Sequence, residues 1–147
     1  MAQNQALHPI HFRDGTPQDR SEVTRLWSDC GLTRPWNDAD SDFDFAINGP
    51  SSTVIVGLID GKIVASSMVG HDGHRGVVYY VSVHPDQQRR RLGQRLMAEA
   101  ELWLTSRGVP KMNLIVRGGN DRAVEFYETL GYQVEPNIQM GKRLDGK

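Results

Sequence analysis

Four arginines and three glutamines surround Gly93 in the stretch HPDQQRRRLGQR, residues 84–95, where Asp86 is the only acid. These side chains suit an anion, because guanidinium groups pair well with phosphate and a glycine lets a ligand approach the backbone closely. The stretch therefore predicts either a phosphate-binding loop, better suited to a diphosphate than to a DNA helix, or a solvated first turn of a helix.

The elements on either side decide how these residues are presented. The apolar run 77–83 predicts a strand, and apolar residues recur at helical spacing after Gly93 until Gly108 and Pro110 end the pattern. A loop that leaves a strand and opens a helix exposes backbone N–H groups without intrahelical partners, and the helix dipole favours an anion there. The predicted anion site thus rests on main chain as well as on arginines.

Length and composition limit the classes of function. A chain of 147 residues fits one domain, residues 1–147, with residues 1–8 as a loose N-terminal tail. The 17 basic and 18 acidic residues give a net charge of -1, which disfavours nucleic acid as a partner. One cysteine, Cys30, predicts no disulfide and no cysteine metal cluster, and its place on an apolar helix face favours packing over a nucleophilic role. We expect a cytoplasmic protein without a membrane span or a metal.

The first half of the chain predicts a strand and two helices. Residues 10–13 predict a short strand, and Thr16 with Pro17 is expected to begin a helix that ends at Gly31. A second helix is predicted from about Asp38 to Ile47.

Two Asp-Gly pairs organise the middle of the chain. Asp60-Gly61 and Asp72-Gly73 each lie between apolar runs and predict two-residue hairpin turns, hence three consecutive antiparallel strands, the last being 77–83. After the helix, the run 111–116 predicts a strand parallel to 77–83 through a crossover. A helix beginning at Asn120 and ending at Gly131, then strands at 132–134 and 138–144, complete the chain. The expected fold is α+β, with a mixed central sheet, a three-strand antiparallel meander, a βαβ crossover and flanking helices.

The segments VSVHPDQQRRRLGQRL and NDRAVEFYETLGY together resemble the GNAT superfamily of N-acetyltransferases, and the resemblance covers nearly the whole chain. It is closest to the YpeA-like acetyltransferases, with which RPWND, DGHRG, YY, VHP and GKRL agree. In the family a strand ending in V-x-P leads to a Q/R-x-x-G-x-G/A loop. Gln88, Leu92 and Gly93 match that loop, whereas Arg91 stands where the first glycine is expected.

The resemblance implies acetyl-CoA as co-substrate. Backbone groups of three strand residues would pair with its pantetheine amides, and a loop would surround its pyrophosphate mainly through backbone N–H groups. The strand residues are Val81, Ser82 and Val83, and the loop residues are Gln88, Arg89, Arg90, Arg91, Leu92, Gly93 and Gln94. The Arg91 side chain would add bulk near the ligand, or would strain the backbone if the position needs a positive φ.

Two residues of the last helix also match family positions. Asn120 stands where the family contacts the cofactor, and it also suits a plain helix cap. Tyr127 stands where the family places a general acid near the thioester sulfur; the alternative is core packing beside Ala123 and Leu130. A phenol with a pKa near ~10 gives its proton to a thiolate of pKa near ~8.5 only with help from the site, so Tyr127 orients as much as it donates.

The general base and the acceptor site stay open. RimI-like relatives carry a glutamate where Ile115 stands, so no base carries over. The candidates are a water chain or the side chains of Tyr79, Tyr80, His84, His71, Asp72 and His74. Arg34, Trp36 and Asp38 either select the substrate or, for Trp36, cover the core.

The leading interpretation is an acetyl-CoA-dependent N-acetyltransferase that moves an acetyl group to a primary amine of a small molecule or a protein by direct attack. The alternative is a non-catalytic acyl-CoA-binding module, suggested by Arg91 and by the missing glutamate. A monomer and a homodimer are both compatible with the sequence.

Overall fold

The computed structural model describes residues 9–88 and 91–147; the predicted tail 1–8 and the loop residues Arg89 and Arg90 lie outside this range. Within the described residues the strands are β1 (His11–Asp14), β2 (Ser52–Ile59), β3 (Lys62–His71), β4 (Gly76–Val83) and β5 (Met112–Asn113). The α-helices of the same residues are α1 (Arg20–Asp29), α2 (Ala39–Asn48), α3 (Leu92–Thr105) and α4 (Asp121–Thr129).

The strands form one mixed sheet in the order β1-β2-β3-β4-β5. Adjacent strands from β1 to β4 run antiparallel to one another, and β5 is parallel to β4, to which α3 connects it. The predicted α+β class, the meander β2–β4 and the crossover β4–α3–β5 are confirmed, and β1 extends the meander to four antiparallel strands.

A buried carboxylate starts the first helix. Thr16 precedes a short 3-10 turn, Pro17–Asp19, that runs into α1. The Asp19 carboxylate accepts hydrogen bonds from the Thr16 N–H at 2.8 Å and from its hydroxyl at 3.1 Å. Arg13 of β1 binds the same carboxylate through both terminal nitrogens, at 2.6 and 3.0 Å. This bidentate pair holds the pKa of Asp19 below its usual range and ties β1 to the helix start.

Both faces of the sheet are packed. Trp27 and Phe43 of α1 and α2 are fully buried against Val54 and Val56 of β2. Successive strand residues alternate between faces, so the opposite face holds Phe12 of β1, whose ring lies 5.8 Å from the Arg95 guanidinium of α3. Helix α3 buries five residues of its own, Leu92, Leu96, Met97, Ala100 and Leu104.

The two Asp-Gly pairs form different turns. Asp60 and Gly61 both have positive φ, 50° and 78°, as a two-residue hairpin turn requires. Asp72-Gly73 is not a two-residue turn, because β3 ends at His71 and its partner is Gly76. The Asp72 carboxylate accepts the N–H groups of His74 and Arg75 at 2.8 Å each, which closes a four-residue loop.

The chain forms two compact units that divide after Leu114. The second unit, residues 115–147, contains α4, which begins at the Asn120 cap and ends before Gly131, whose φ is +96°.

The C-terminal strand predictions were wrong, because one strand is shorter than predicted and two do not form. The predicted strand 111–116 shortens to β5, and residues 132–144 form no strand. Val134, Ile138, Met140 and Leu144 leave at least 75% of their surface exposed. An apolar run becomes a strand only where it finds a partner edge, and Pro136 lacks the N–H that a ladder needs.

Candidate active site

Strand β4 carries a β-bulge near its C-terminal end. The register pairs Tyr79 with Met68 and Ser82 with Ser66, so that Tyr80 and Val81 together lie opposite Ser67 alone. Tyr80 has φ +53°. A left-handed backbone costs a non-glycine residue roughly 1–2 kcal/mol and persists only where its surroundings hold it.

Contacts from two helices surround the Tyr80 side chain. Its ring stacks on Trp27 of α1, with centroids 4.0 Å apart and planes 8° from parallel. Its hydroxyl donates a hydrogen bond to the Asp42 carboxylate of α2 at 2.7 Å. Burial and the Asp42 contact together raise the pKa of Tyr80 well above its usual value. Tyr80 is thus a neutral, hydrogen-bonded phenol and a poor candidate for the general base.

Beyond the bulge, the backbone groups of β4 point alternately towards β3 and away from it. The His84 N–H donates to the Val64 carbonyl at 2.8 Å. Backbone groups of successive strand residues alternate in direction, so those of Ser82 point towards β3 and those of Val83 point away from it. The Ser82 side chain is buried, and its hydroxyl donates to the Ser66 carbonyl at 3.1 Å. Of the three predicted strand residues, Ser82 is therefore turned inwards.

The Val83 backbone lies on the open edge. In the described part of the chain, the pairing of β5 with β4 covers only Gly76 and Val77. The Val83 carbonyl accepts from the Cys30 thiol and from the Gln88 amide nitrogen, each at 3.3 Å. These two contacts occupy both lone pairs of the carbonyl, but a thiol is a weak donor, so the N–H of a ligand can replace the Cys30 contact. Burial raises the pKa of Cys30, which agrees with its predicted packing role.

The first turn of α3 presents the predicted anion site. Arg91 is the N-cap residue and has φ +57° and ψ 23°, in the left-handed region. Its side chain makes no capping hydrogen bond, and the first turn of the helix holds no acid. The N–H groups of Leu92, Gly93 and Gln94 belong to this turn and have no intrahelical acceptor. The Leu92 side chain is buried, so that this residue offers only its backbone.

The second unit contains the other two predicted residues. The Asn120 side-chain oxygen accepts the Ala123 N–H at 3.2 Å, so the residue is a helix cap and keeps its NH₂ group for other contacts. The Tyr127 ring makes edge contacts with Phe126 and Tyr132, with centroids 5.0 and 5.8 Å apart. Burial raises the pKa of Tyr127, so the phenol stays protonated at neutral pH.

The structure separates the candidate bases. His71, Asp72 and His74 lie at the start of β4, and Val83 ends it, roughly 20 Å away at the usual rise per strand residue. His84 follows Val83 directly, and its Nδ1 accepts the Asp86 N–H at 3.1 Å. Tyr79 is 47% exposed. His84, Tyr79 and solvent water remain as candidates near the open edge.

Two of the three predicted acceptor-site residues have local structural roles. Arg34 donates to the Gly31 and Thr33 carbonyls, at 2.8 Å each, after the end of α1. Asp38 caps α2 by accepting the Ser41 N–H at 3.1 Å. Trp36 is 51% exposed and does not cover the core.

Comparison with known sequences identifies the family. The sequence model of the Acetyltransferase (GNAT) family matches residues 20–132. The chain belongs to the GNAT acetyltransferase family. It is similar to an acetyltransferase of Yersinia pestis (strain Pestoides F), 43% identical over 126 residues that cover 86% of this chain and 89% of that protein. An acetyltransferase of Sodalis glossinidius is 42% identical over 127 residues, with the same coverage.

Solved structures confirm the GNAT fold. AAC(6')-Iy in complex with the bisubstrate analog CoA-S-monomethyl-acetylneamine has a TM-score of 0.79 at 15% identity, over 92% of this chain and 99% of that one. A ribosomal-protein-alanine N-acetyltransferase from Brucella melitensis biovar Abortus 2308 has a TM-score of 0.75 at 15% identity, over 92% and 100%. These GNAT structures share the fold with this chain, and the family makes it an enzyme of the acyltransferase class.

Within residues 9–88 and 91–147, no group of three His, Cys, Asp or Glu side chains is arranged to hold a metal ion. No helix in that same part of the chain is long and apolar enough to cross a membrane.

Sequence reasoning missed Asp42 and Trp27 as neighbours of the site. Trp27 is buried in the core, but its stacking on Tyr80 depends on a bulge that the residue pattern does not reveal. Asp42 is one of four aspartates between residues 38 and 44, and only the packing of α2 singles it out.

Proposed function

We propose that this GNAT enzyme transfers an acetyl group from acetyl-CoA to a primary amine of a small molecule or a protein by direct attack. The observation that carries the proposal is the open edge of β4 at Val83, followed within ten residues by the first turn of α3. A strand edge suits the amides of an extended pantetheine, and a helix start suits a diphosphate. The sequence places both features on one continuous segment.

The contacts to the co-substrate fall to backbone groups. The strand-like contacts in this proposal come from the edge-facing N–H and C=O of Val83 and from the backbone of the bulge residue Val81. Ser82 makes no such contact, because it binds β3. The N–H groups of Leu92, Gly93 and Gln94 would hold the pyrophosphate. Gln88 would orient the loop through its contact with the Val83 carbonyl. Arg89 and Arg90, outside the described residues, would add charge.

The left-handed backbone at Arg91 supports this assignment. The family pattern has a glycine at this position, and glycine adopts φ +57° without penalty. Arg91 keeps the same local geometry at an energetic cost, so its N–H is presented as a glycine would present it. Its exposed side chain then lies beside the proposed phosphate site.

We propose Asn120 as a contact to the co-substrate and Tyr127 as the group that meets the departing thiolate. The raised pKa of Tyr127 keeps its proton in place but makes full donation to a thiolate of pKa near ~8.5 uphill. Tyr127 therefore stabilises the thiolate chiefly by a hydrogen bond, and solvent completes the proton transfer. A lysine-like ammonium of pKa near ~10.4 must also lose a proton before attack, to His84, Tyr79 or water.

Calorimetric titration with acetyl-CoA, followed by a thiol-release assay over a panel of amines, amino acids and peptides, tests the proposal. The expected result is saturable binding and thiol release with at least one amine. Binding without turnover on any amine would instead assign a non-catalytic acyl-CoA-binding module. Absence of binding would refute both functions.

The Tyr127→Phe variant tests the role of the phenol. Turnover should fall about 10-fold to 100-fold with acetyl-CoA affinity nearly unchanged, because only the interaction with the leaving group is lost. Tyr132→Phe is the matched control, because it removes the hydroxyl of a neighbouring ring in the same unit. Its turnover should stay close to that of the wild type. A loss of affinity in Tyr127→Phe would show a structural role.

A further inference from the structure

We infer that Trp27, Tyr80 and Asp42 form a clamp that fixes the bulge of β4 and thereby selects which backbone groups face the proposed acetyl-CoA edge. The inference rests on the proposed function and makes Tyr80 and Asp42 positioning residues rather than catalytic ones. The three residues lie on α1, β4 and α2, and none of them belongs to the family loop.

The register of β4 shows what the bulge controls. Tyr79 lies opposite Met68 and Ser82 opposite Ser66, with one extra β4 residue between the two pairs. Without that extra residue, Val81 would lie opposite Ser66. Every backbone group downstream would then reverse direction, because direction alternates from residue to residue. Val83 would point towards β3, and Ser82 would point to the open edge.

The clamp is suited to hold the bulge because it binds Tyr80, the bulge residue with the left-handed backbone. A regular strand would place residues 79 and 80 on opposite faces of the sheet. The bulge instead turns Tyr80 towards α1 and α2, where its ring meets Trp27 and its hydroxyl meets Asp42. These contacts are lost if the strand becomes regular, so they favour the bulged register over the regular one.

The clamp should therefore affect one substrate more than the other. A shift in register changes the edge that the pantetheine would use, so acetyl-CoA affinity should fall while the Michaelis constant for the amine changes little. A purely structural role would instead lower the free energy of unfolding without a selective effect on acetyl-CoA.

Four variants separate these roles. Tyr80→Phe keeps the stacked ring and removes the hydroxyl, and Asp42→Ala removes the acceptor. Asp42→Asn keeps an oxygen acceptor without the charge and should restore wild-type behaviour. Asp44→Ala is the matched control, since Asp44 lies on the same helix and pairs with Arg20 of α1 at 2.9 Å, away from β4.

Two measurements are made on all four variants and the wild type. Calorimetry with acetyl-CoA should show weaker binding for Tyr80→Phe and Asp42→Ala, by up to about fivefold, the limit set by one lost hydrogen bond, and no change for Asp42→Asn or Asp44→Ala. Amide hydrogen exchange without ligand should show a slow Ser82 and a fast Val83 in the wild type. The contrast between the two amides should shrink in Tyr80→Phe and Asp42→Ala.

The outcomes are distinguishable. If the wild type does not bind acetyl-CoA, the proposed function fails and the inference fails with it. If the wild type binds and Tyr80→Phe and Asp42→Ala bind equally well with unchanged exchange, the clamp is refuted while the proposed function stands. If Asp42→Asn loses affinity for the amine instead, Asp42 acts through its charge on the acceptor, and the clamp is again refuted.

Discussion

Tyr80 and Arg91 share an uncommon backbone conformation but differ in what holds it. Both are non-glycine residues with a left-handed backbone, at φ +53° and +57°. Tyr80 is held by a stacked ring and a hydrogen bond to a carboxylate, whereas the Arg91 side chain is exposed and caps nothing. One strained position is secured from the protein interior, and the other faces solvent at the start of a helix.

The difference shows two ways of using backbone strain. At Tyr80 the contacts of the side chain with Trp27 and Asp42 offset the strain, so the fold depends on a tyrosine at this position. At Arg91 nothing in the described residues offsets the strain, so the Arg91 side chain does not stabilise its own backbone conformation. Asp60, the third such residue, lies in a two-residue turn that tolerates aspartate, and it serves as a reference.

Tyr80→Gly should have the largest effect on stability. Glycine relieves the strain at φ +53° but removes the stacked ring and the hydrogen bond, so we expect a net loss of about 2–4 kcal/mol in the free energy of unfolding. Urea denaturation measures it. A gain in stability would mean that the strain outweighs the clamp.

The second-largest effect should be that of Tyr80→Phe on the pH dependence of the free energy of unfolding. The pKa of Tyr80 is raised in the folded state, so its contribution to stability is fully present below the unfolded pKa of about 10 and decreases as pH rises above it. The wild type should therefore lose stability more steeply than Tyr80→Phe above about pH 10. Parallel curves in urea denaturation from pH 8 to 11 would show that the folded state does not raise the pKa of Tyr80, against its burial and its contact with Asp42.

Arg91→Gly should have a smaller effect of opposite sign. Glycine fits a left-handed position without penalty, so the free energy of unfolding should rise by about 1 kcal/mol, with acetyl-CoA affinity equal to or tighter than in the wild type.

Arg91→Ala is the control for Arg91→Gly, because it removes the guanidinium and keeps the strain. If both variants bind acetyl-CoA markedly more weakly, the Arg91 side chain itself contacts phosphate. If only Arg91→Gly gains stability, the backbone strain is the cause.

Asp60→Gly should have the smallest effect, within about 0.5 kcal/mol in urea denaturation, because aspartate is already favoured in such a turn. A stabilisation as large as that of Arg91→Gly would show that left-handed strain is similar at turns and helix starts, which would weaken the contrast drawn between Tyr80 and Arg91.

The sequence predicted those parts of the fold that depend on local signals. Thr16 and Pro17 began the first helix, Asp38 and Asn120 capped theirs, and Asp60-Gly61 closed a hairpin, since each acts on its own neighbours. The strands predicted at 132–134 and 138–144 depended on a distant partner edge, and the structure forms neither. Local chemistry is visible in a sequence, whereas pairing between distant segments is not.

The candidate site divides in the same way. The helix start at Arg91 to Gln94 could be found from a strand, a loop and a helix in succession, and the question of a positive φ at Arg91 could be posed from the family pattern. The bulge at Tyr80 and its contact with Asp42, 38 residues away in sequence, could not. They arise from the packing of α1 and α2 on the sheet.

Amide hydrogen exchange at Val83 and Ser82, with and without acetyl-CoA, tests the central claim most directly. The open edge of β4 predicts that saturating acetyl-CoA slows exchange at Val83, whose N–H faces that edge, and leaves Ser82, already directed towards β3, unchanged. Slowing at Ser82 with no change at Val83 would contradict the assignment of this edge as the binding surface.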